Sequence, residues 1–497
     1  MEKGSAKKNK IYQKEWLRLH PYNAPVPSDS YFVTLSNELL DIIEESLEEI
    51  SVSSKTKKNI ALSVAAYFED VISGLGLWQG FTEKHFRMYG KYLPFYELTD
   101  DYLPKEINQE DVCFLIWSIM QLEMKETKEI ILNPENRGIT ALGCELFVVL
   151  DEEYETAPEN EILQDFFTKS VDYNEFISFR TAVSWLYYNS YLISPYTENH
   201  LKDELEGIAE HKGGRKYKDV VVYMMTNELI FRNPCGPLAL KTYEWISAIV
   251  GEDTLLGAML LQTRFRYRMP KTYLITDKDE MSLTVLPFDS DEPLFLSNTT
   301  FKEKVPHKTG EAVLCNLIYF NGQWELNGFM INVSAEEYKK HREEEEKMRD
   351  SREYSRELFL KANNNKPICY FKREKDVLTF LNTAFSLKTK VKTDFFAGKE
   401  NVLSFVDSKM GMISIGDIAM YVKDKNNPCY NREETEKSGL ALIASYDLFQ
   451  ELIEYLIKNN LLPDLSLNSI RGQEHGRKLL QENLDFMFRF FQPLSFQ

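Results

Sequence analysis

A change of periodicity near Arg264 constrains this chain more than any other feature. Upstream, apolar residues recur at helical spacing. Downstream, Arg264-Phe265-Arg266-Tyr267-Arg268 alternates, and Thr272-Tyr273-Leu274-Ile275 and Leu283-Thr284-Val285-Leu286 are short β-rich runs. A chain of 497 residues is too long for one hydrophobic core, so a shift of this kind marks a seam between units.

The first half reads as helix. Leu35, Leu39, Ile43, Leu47 and Ile50 form one apolar stripe, and a second helix from Thr56 to Ile72 stops at Gly74 and Gly76. Further helices are expected at 82–90, 108–126, 139–155, 172–193, 199–210, 217–231 and 238–250. Ahead of them, the dense prolines of Pro21 to Pro27 predict an extended arm across the domain, anchored by Trp16 and Tyr22.

In the middle, segments Ala312 to Phe320 and Trp324 to Val333 flank Asn321-Gly322, a strong hairpin signal. Four or five short strands there suggest a small barrel or curled sheet. Glu336 to Glu357 is almost continuous Glu, Lys and Arg with opposite charges at helical spacing, which reads as a solvated helical connector. The remainder mixes a strand at Ile368 to Phe371, a hairpin-like region from Asn401 to Ile415, and helices near 374–386, 416–423, 433–445, 447–459 and 473–491. Asp417 and Asp447 are expected as helix N-caps.

The expected fold is therefore α+β and multidomain. It comprises a flexible tail (1–10), a helical domain (11–260), a small β-barrel-like or curled-sheet domain (261–335), a charged helical connector (336–362) and an α/β C-terminal domain (363–497).

The net charge is −18, and Asp100 to Asp165 alone holds 17 acidic and 4 basic residues, or 4 − 17 = −13. Such a surface repels phosphate backbones, so bulk nucleic-acid binding is disfavoured while a protein partner or an anionic ligand stays open. Six cysteines stand far apart among apolar neighbours with no C-x-x-C, the pattern of reduced thiols in a cytoplasm. The N-terminus lacks a signal-peptide core, and no stretch reaches the ~18 to 20 apolar residues that span a bilayer. The sequons at Asn298 and Asn332 then carry little weight.

Several clusters are candidates for chemistry. In Arg471-Gly472-Gln473-Glu474-His475-Gly476-Arg477, a Gly-flanked helix start gathers Arg471, Glu474 and His475, which could bind an anion or shuttle a proton. The plainer reading is a helix start with His475 capping or packing. Arg264, Arg266 and Arg268 share one strand face that suits an anionic partner, or that pairs with the acidic helical half. Trp324 could stack a ligand, although such a Trp more often plugs a small sheet. Asp407, Asp417 and Asp424 match no compact metal loop. The basic loop His211 to Lys218 lacks phosphate-loop spacing. No H-E-x-x-H or G-x-S-x-G occurs, and nothing calls for a metal or cofactor.

The segments Tyr12-Gln13-Lys14-Glu15-Trp16-Leu17-Arg18-Leu19-His20-Pro21-Tyr22, Tyr67-Phe68-Glu69-Asp70-Val71-Ile72-Ser73-Gly74 and Asn321-Gly322-Gln323-Trp324-Glu325-Leu326-Asn327-Gly328 carry a resemblance. So do Asn426-Asn427-Pro428-Cys429-Tyr430 and Glu474-His475-Gly476-Arg477. Together they resemble an uncharacterised family of gut Bacteroidetes, a domain of unknown function. The resemblance implies a bacterial cytoplasmic protein and brings no catalytic residues with it. From the residues alone, the function expected is that of a binding, scaffolding or regulatory protein, with a hydrolase centred near His475 as the alternative.

Overall fold

The computed structural model describes residues 9–48, 52–124, 131–164, 166–198, 200–209, 218–262, 264–265, 271–279, 282–296, 307–385 and 398–497. The described part of the first half is mainly helical. Its helices are α1 (Gln13–Leu17), α2 (Asp29–Ser46), α3 (Ser54–Ser73), α4 (Leu77–Tyr89), α5 (Gln109–Met124), α6 (Arg137–Glu153) and α7 (Glu161–Gln164). Then come α8 (Phe176–Tyr188), α9 (Ser194–Thr197), α10 (His200–Ala209), α11 (Lys218–Arg232), α12 (Thr242–Val250) and α13 (Leu255–Leu261).

The α2 stripe behaves as its spacing predicts, with Leu35, Leu39, Ile43 and Leu47 all buried; Ile50 lies outside the described residues. Helix α3 ends at Gly74, whose φ of +68° gives the left-handed cap that only glycine adopts without strain. The arm differs from expectation in containing a helix, α1, because the prolines begin only after its end. Its two anchors do seat. Trp16 is fully buried, and both the Trp16 Nε1–H and the Tyr22 hydroxyl donate to Asp29 Oδ1, at 3.0 and 2.9 Å. Helix α13 has no counterpart among the expected helices, because its run Leu255 to Leu261 is too short for a periodic signal.

The middle region holds β1 (Arg264–Phe265), β2 (Lys271–Lys278), β3 (Leu283–Pro287), β4 (Leu294–Leu296), β5 (Ala312–Cys315), β6 (Leu317–Phe320), β7 (Gln323–Leu326) and β8 (Ile331–Val333). They form one curled sheet in the order β1-β6-β7-β4-β3-β2-β5-β8. The hairpin at Asn321-Gly322 forms as expected, with φ of +46° and +83° at its two turn residues. Its long arms, however, each break. β5 gives way to β6 at Asn316, and β7 to β8 across Asn327-Gly328, where φ is +108° at Gly328. The Asn327 N–H donates to the Asn316 carbonyl (2.8 Å), so the two breaks face each other. One bent hairpin thus supplies strands near both ends of the sheet, which is why the sheet curls without closing by hydrogen bonds.

Alternation sorts the two faces. Tyr273, Ile275, Leu283, Val285, Val313 and Cys315 fill the inner core of the curl, with Leu317. Ile318 and Phe320 turn the other way and join the core of the helical half. The Phe320 ring stacks on Phe179 of α8, with centroids 4.6 Å apart and an interplanar angle of 13°. That contact seats the sheet on the helices.

Beyond the sheet come α14 (Ala335–Ala362), β9 (Ile368–Arg373), α15 (Glu374–Phe385), β10 (Glu400–Asp407) and β11 (Gly411–Ile415). The chain finishes with α16 (Arg432–Ser438), α17 (Ala441–Ala444), α18 (Gln450–Lys458), α19 (Gln473–Gln481) and α20 (Leu484–Phe491). The charged connector is indeed one helix, α14, capped by Ser334 and buried only at Tyr338 and Phe359. Strands β9, β10 and β11 make an antiparallel sheet in the order β11-β10-β9. Three helical readings change here. The helix expected at 416–423 reduces to the 3-10 turn Ala419–Tyr421. Segment 433–445 splits at Gly439, and 473–491 splits at Asn483, whose Oδ1 accepts from Lys91 Nζ and the Phe95 N–H of the helical half. Asp447 is no N-cap, since α18 starts at Gln450 after Phe449. Asp417 also caps no helix. It has φ +64° and takes Lys399 Nζ at 2.9 Å, because only a single 3-10 turn, Ala419–Tyr421, follows it.

The C-terminal helix α20 drives Phe486 and Phe490 into the helical half, where Phe490 lies 4.7 Å from Trp117 and Phe486 5.4 Å from Phe95. One continuous core therefore runs from Ile11 to Phe496, while the curl keeps its own. Among the described residues no single helix is long and apolar enough to cross a membrane.

Phe320→Ala should cost about 3 to 4 kcal/mol, the usual range for emptying a buried aromatic site. Urea unfolding measures it. A loss under about 1 kcal/mol would show that the sheet is seated elsewhere.

Candidate functional site

The arm, α8 and α11 line an open cleft of about 760 Å³. Helix α8 is two-faced by its spacing. Phe176, Phe179, Val183 and Leu186 point into the core, while Arg180, Thr181 and Ser184 line the cleft. The arm adds Lys14, Arg18 and the edge of His20, and α11 adds Tyr223 and Asn227. Two side chains of the α8 region hold the arm's backbone in place. Trp185 Nε1–H donates to the Leu19 carbonyl at 3.0 Å, and Asn189 Nδ2 to the Arg18 carbonyl at 2.8 Å.

The lining is the reverse of the chain as a whole. Among the described residues it includes Lys14, Arg18 and Arg180 and not one carboxylate, in a protein of net charge −18. None of these three cations makes an ion pair among the described residues; Arg180 lies over the Phe176 ring at 5.8 Å. Lys14 and Arg18 are exposed.

Beneath the cleft lies a closed polar network. His20 and Glu69 are buried, and His20 Nε2 sits 2.6 Å from Glu69 Oε2. Nδ1 lies 2.9 Å from the Trp16 carbonyl, which can only accept, so Nδ1 carries a proton. The short contact to Glu69 then needs a second proton between the two groups. Burial pulls the His20 pKa down, but the hydrogen bond and charge of Glu69 outweigh it and hold the ring above its ordinary 6.5. Asn160 Nδ2 donates to Glu69 Oε1 (2.9 Å) and to the Tyr22 hydroxyl (2.7 Å).

His20, Asp29 and Glu69 place ligand atoms within 4.8 Å of one another. They do not fit a metal centre. Both ring nitrogens are committed, and Asp29 already accepts from Trp16, Tyr22 and the Val26 N–H (2.6 Å). The group is a structural network.

Two more buried carboxylates serve the frame. Asp70 accepts the N–H groups of Gly76 (2.8 Å) and Trp78 (2.8 Å) at the start of α4, and burial pushes it up to about 6. Asp111 accepts from the hydroxyls of Tyr67 and Tyr102, and burial pushes it up to about 7.

The candidates read from sequence fall elsewhere. His475 Nε2 meets Glu135 Oε2 at 2.6 Å, and Arg471 reaches the same carboxylate at 3.5 Å. Glu474 turns away to Arg477 (2.8 Å) and is exposed. So two of the three gather on Glu135, which nothing in the sequence tied to them, and together they clasp α19 to the helical half. Glu135 and His475 border a second cleft of about 580 Å³ whose lining, among the described residues, includes Thr99 but no Ser or Cys. Asp407 caps its own turn through Lys409 N–H and Met410 N–H, and Asp424 accepts from Tyr370. Trp324 is half-buried against the inner core of the curl, its ring 5.5 Å from Tyr319. Arg264 stands on β1 opposite Tyr319, whereas Arg266, Arg268, His211 to Tyr217 and Asn298 lie outside the described residues.

The chain belongs to the family described as "Protein of unknown function (DUF3843)", whose model matches residues 10–340 and 332–492. No curated protein and no solved structure matches it.

His20 carries a definite pH sign. Because its folded pKa is raised, its stabilisation is fully present below about 6.5 and is lost as pH rises through the folded value. His20→Gln should therefore destabilise by roughly 3 kcal/mol at pH 6, the usual cost of breaking a buried pair, and by less at pH 9. Thermal unfolding at both pH values checks this, and a difference that does not change with pH would contradict an imidazolium at that position.

Proposed function

We propose that the protein is a binding protein whose ligand is a small anion-bearing molecule held in the cleft between the arm, α8 and α11. The observation that carries this reading is the cation-lined, carboxylate-free wall in an otherwise acidic chain. Guanidinium groups left without carboxylate partners are available to an incoming phosphate or carboxylate, which two such forks can grip bidentately. The low-dielectric wall of a cleft focuses that field. A cleft of about 760 Å³ lies in the range that encloses small molecules.

The setting we propose is cytoplasmic. Six free cysteines support it, four of them buried. A scaffolding role through the β1 segment rests on Arg264, Arg266 and Arg268, and a protein partner there remains a separate proposal. The hydrolase reading would use Glu135 to orient His475. Among the described residues it finds no Ser or Cys along the adjoining cleft, where Thr99 offers a hydroxyl.

Titration calorimetry of the full chain with inorganic pyrophosphate, at low ionic strength, tests the binding reading. Binding should weaken at least tenfold in the Arg18→Ala/Arg180→Ala variant, about 1.4 kcal/mol, and should weaken with added salt. An affinity equal in wild type and variant would remove the proposal.

A further inference from the structure

Resting on the anion reading of the same cleft, we infer that its ligand is a mononucleotide, with its phosphate on the arginines and its base on Tyr223. The cations occupy the arm and α8, whereas α11 brings an aromatic ring. Tyr223 lines the cleft and is 39% exposed, a large ring left with free surface beside a charged wall. A neighbouring ring, that of Phe329, lies 4.8 Å away at 46°. An aromatic ring with free surface can serve as a stacking platform, and every nucleobase has a π-face that such a platform accepts.

The polar groups between the two ends suit a nucleoside. Asn227 stands one helical turn from Tyr223 and uses its Nδ2 on the Tyr223 carbonyl (2.7 Å). Asn189 uses its Nδ2 on the Arg18 carbonyl. Each therefore keeps a carboxamide oxygen that can accept from an exocyclic amine or a sugar hydroxyl. Ser184 adds a hydroxyl from α8. A simple inorganic anion would use the arginines and leave Tyr223 idle, and a long nucleic acid would be repelled by a chain of net charge −18.

The experiment is calorimetry on the full chain with the four nucleoside monophosphates, their nucleosides, inorganic phosphate and a twelve-residue oligonucleotide. At least one monophosphate should bind ten times more tightly than both inorganic phosphate and its own nucleoside. Tyr223→Ala should erase that gain and leave phosphate affinity unchanged, and Tyr223→Phe should retain it. If all four monophosphates match phosphate, and phosphate binding still depends on Arg18 and Arg180, the nucleotide inference fails and the anion site stands. If the oligonucleotide binds tenfold more tightly than any monophosphate, the ligand is a polymer and the inference is likewise overturned. If nothing binds, both readings fall.

Discussion

The buried contact between His20 and Glu69 is the constraint on which the cleft depends. Taking an ion pair out of water costs several kcal/mol, and the pair is stable only when its remaining donors and acceptors are satisfied. Here they are: Trp16 takes the second ring proton, and Asn160 takes the second carboxylate oxygen. The same network includes Asp29, which begins α2 and receives Trp16 and Tyr22. An arm rich in proline has little secondary structure with which to hold itself. Its position is set instead by these buried hydrogen bonds, together with those that Trp185 and Asn189 make to its backbone, and the arm is the wall that presents Lys14 and Arg18.

Helix α8 connects that wall to everything else. Its apolar face receives Phe320 from the curled sheet, and its polar face supplies Arg180. Seating the sheet and shaping the cleft are therefore two sides of one helix. The α20 aromatics close the same core from the C-terminal end, so the arm, the helices and the last helix share a single packed interior. A packed interior of that density transmits displacements instead of absorbing them.

Much of the architecture was legible in the sequence. Spacing revealed the α2 stripe, the glycine stop of α3, the Asn321-Gly322 hairpin and the charged connector, since each is a local signal. What escaped is long-range or needs three dimensions. Both strand arms of the hairpin read as continuous, because the breaks at Asn316 and Asn327 come from the bend of the whole sheet. Asp417 and Asp447 looked like caps from local chemistry alone, and the helices that would have needed them begin later or not at all. The site was the least legible part. Lys14, Arg18 and Arg180 lie over 160 positions apart in part, and only folding brings them to one wall. One clue was available: Glu69 and Asp70 interrupt an otherwise apolar helical run, and a charge set where the core should be marks a buried network.

The central claim is that an anion sits between the arm and α8. Crystals of the full chain soaked in tungstate would test it most directly, since the ion's anomalous scattering locates it without prior assumption about the site. The account predicts a peak within hydrogen-bonding distance of the Arg18 and Arg180 guanidinium groups. A map with that cleft empty and the ion bound at another surface would contradict it.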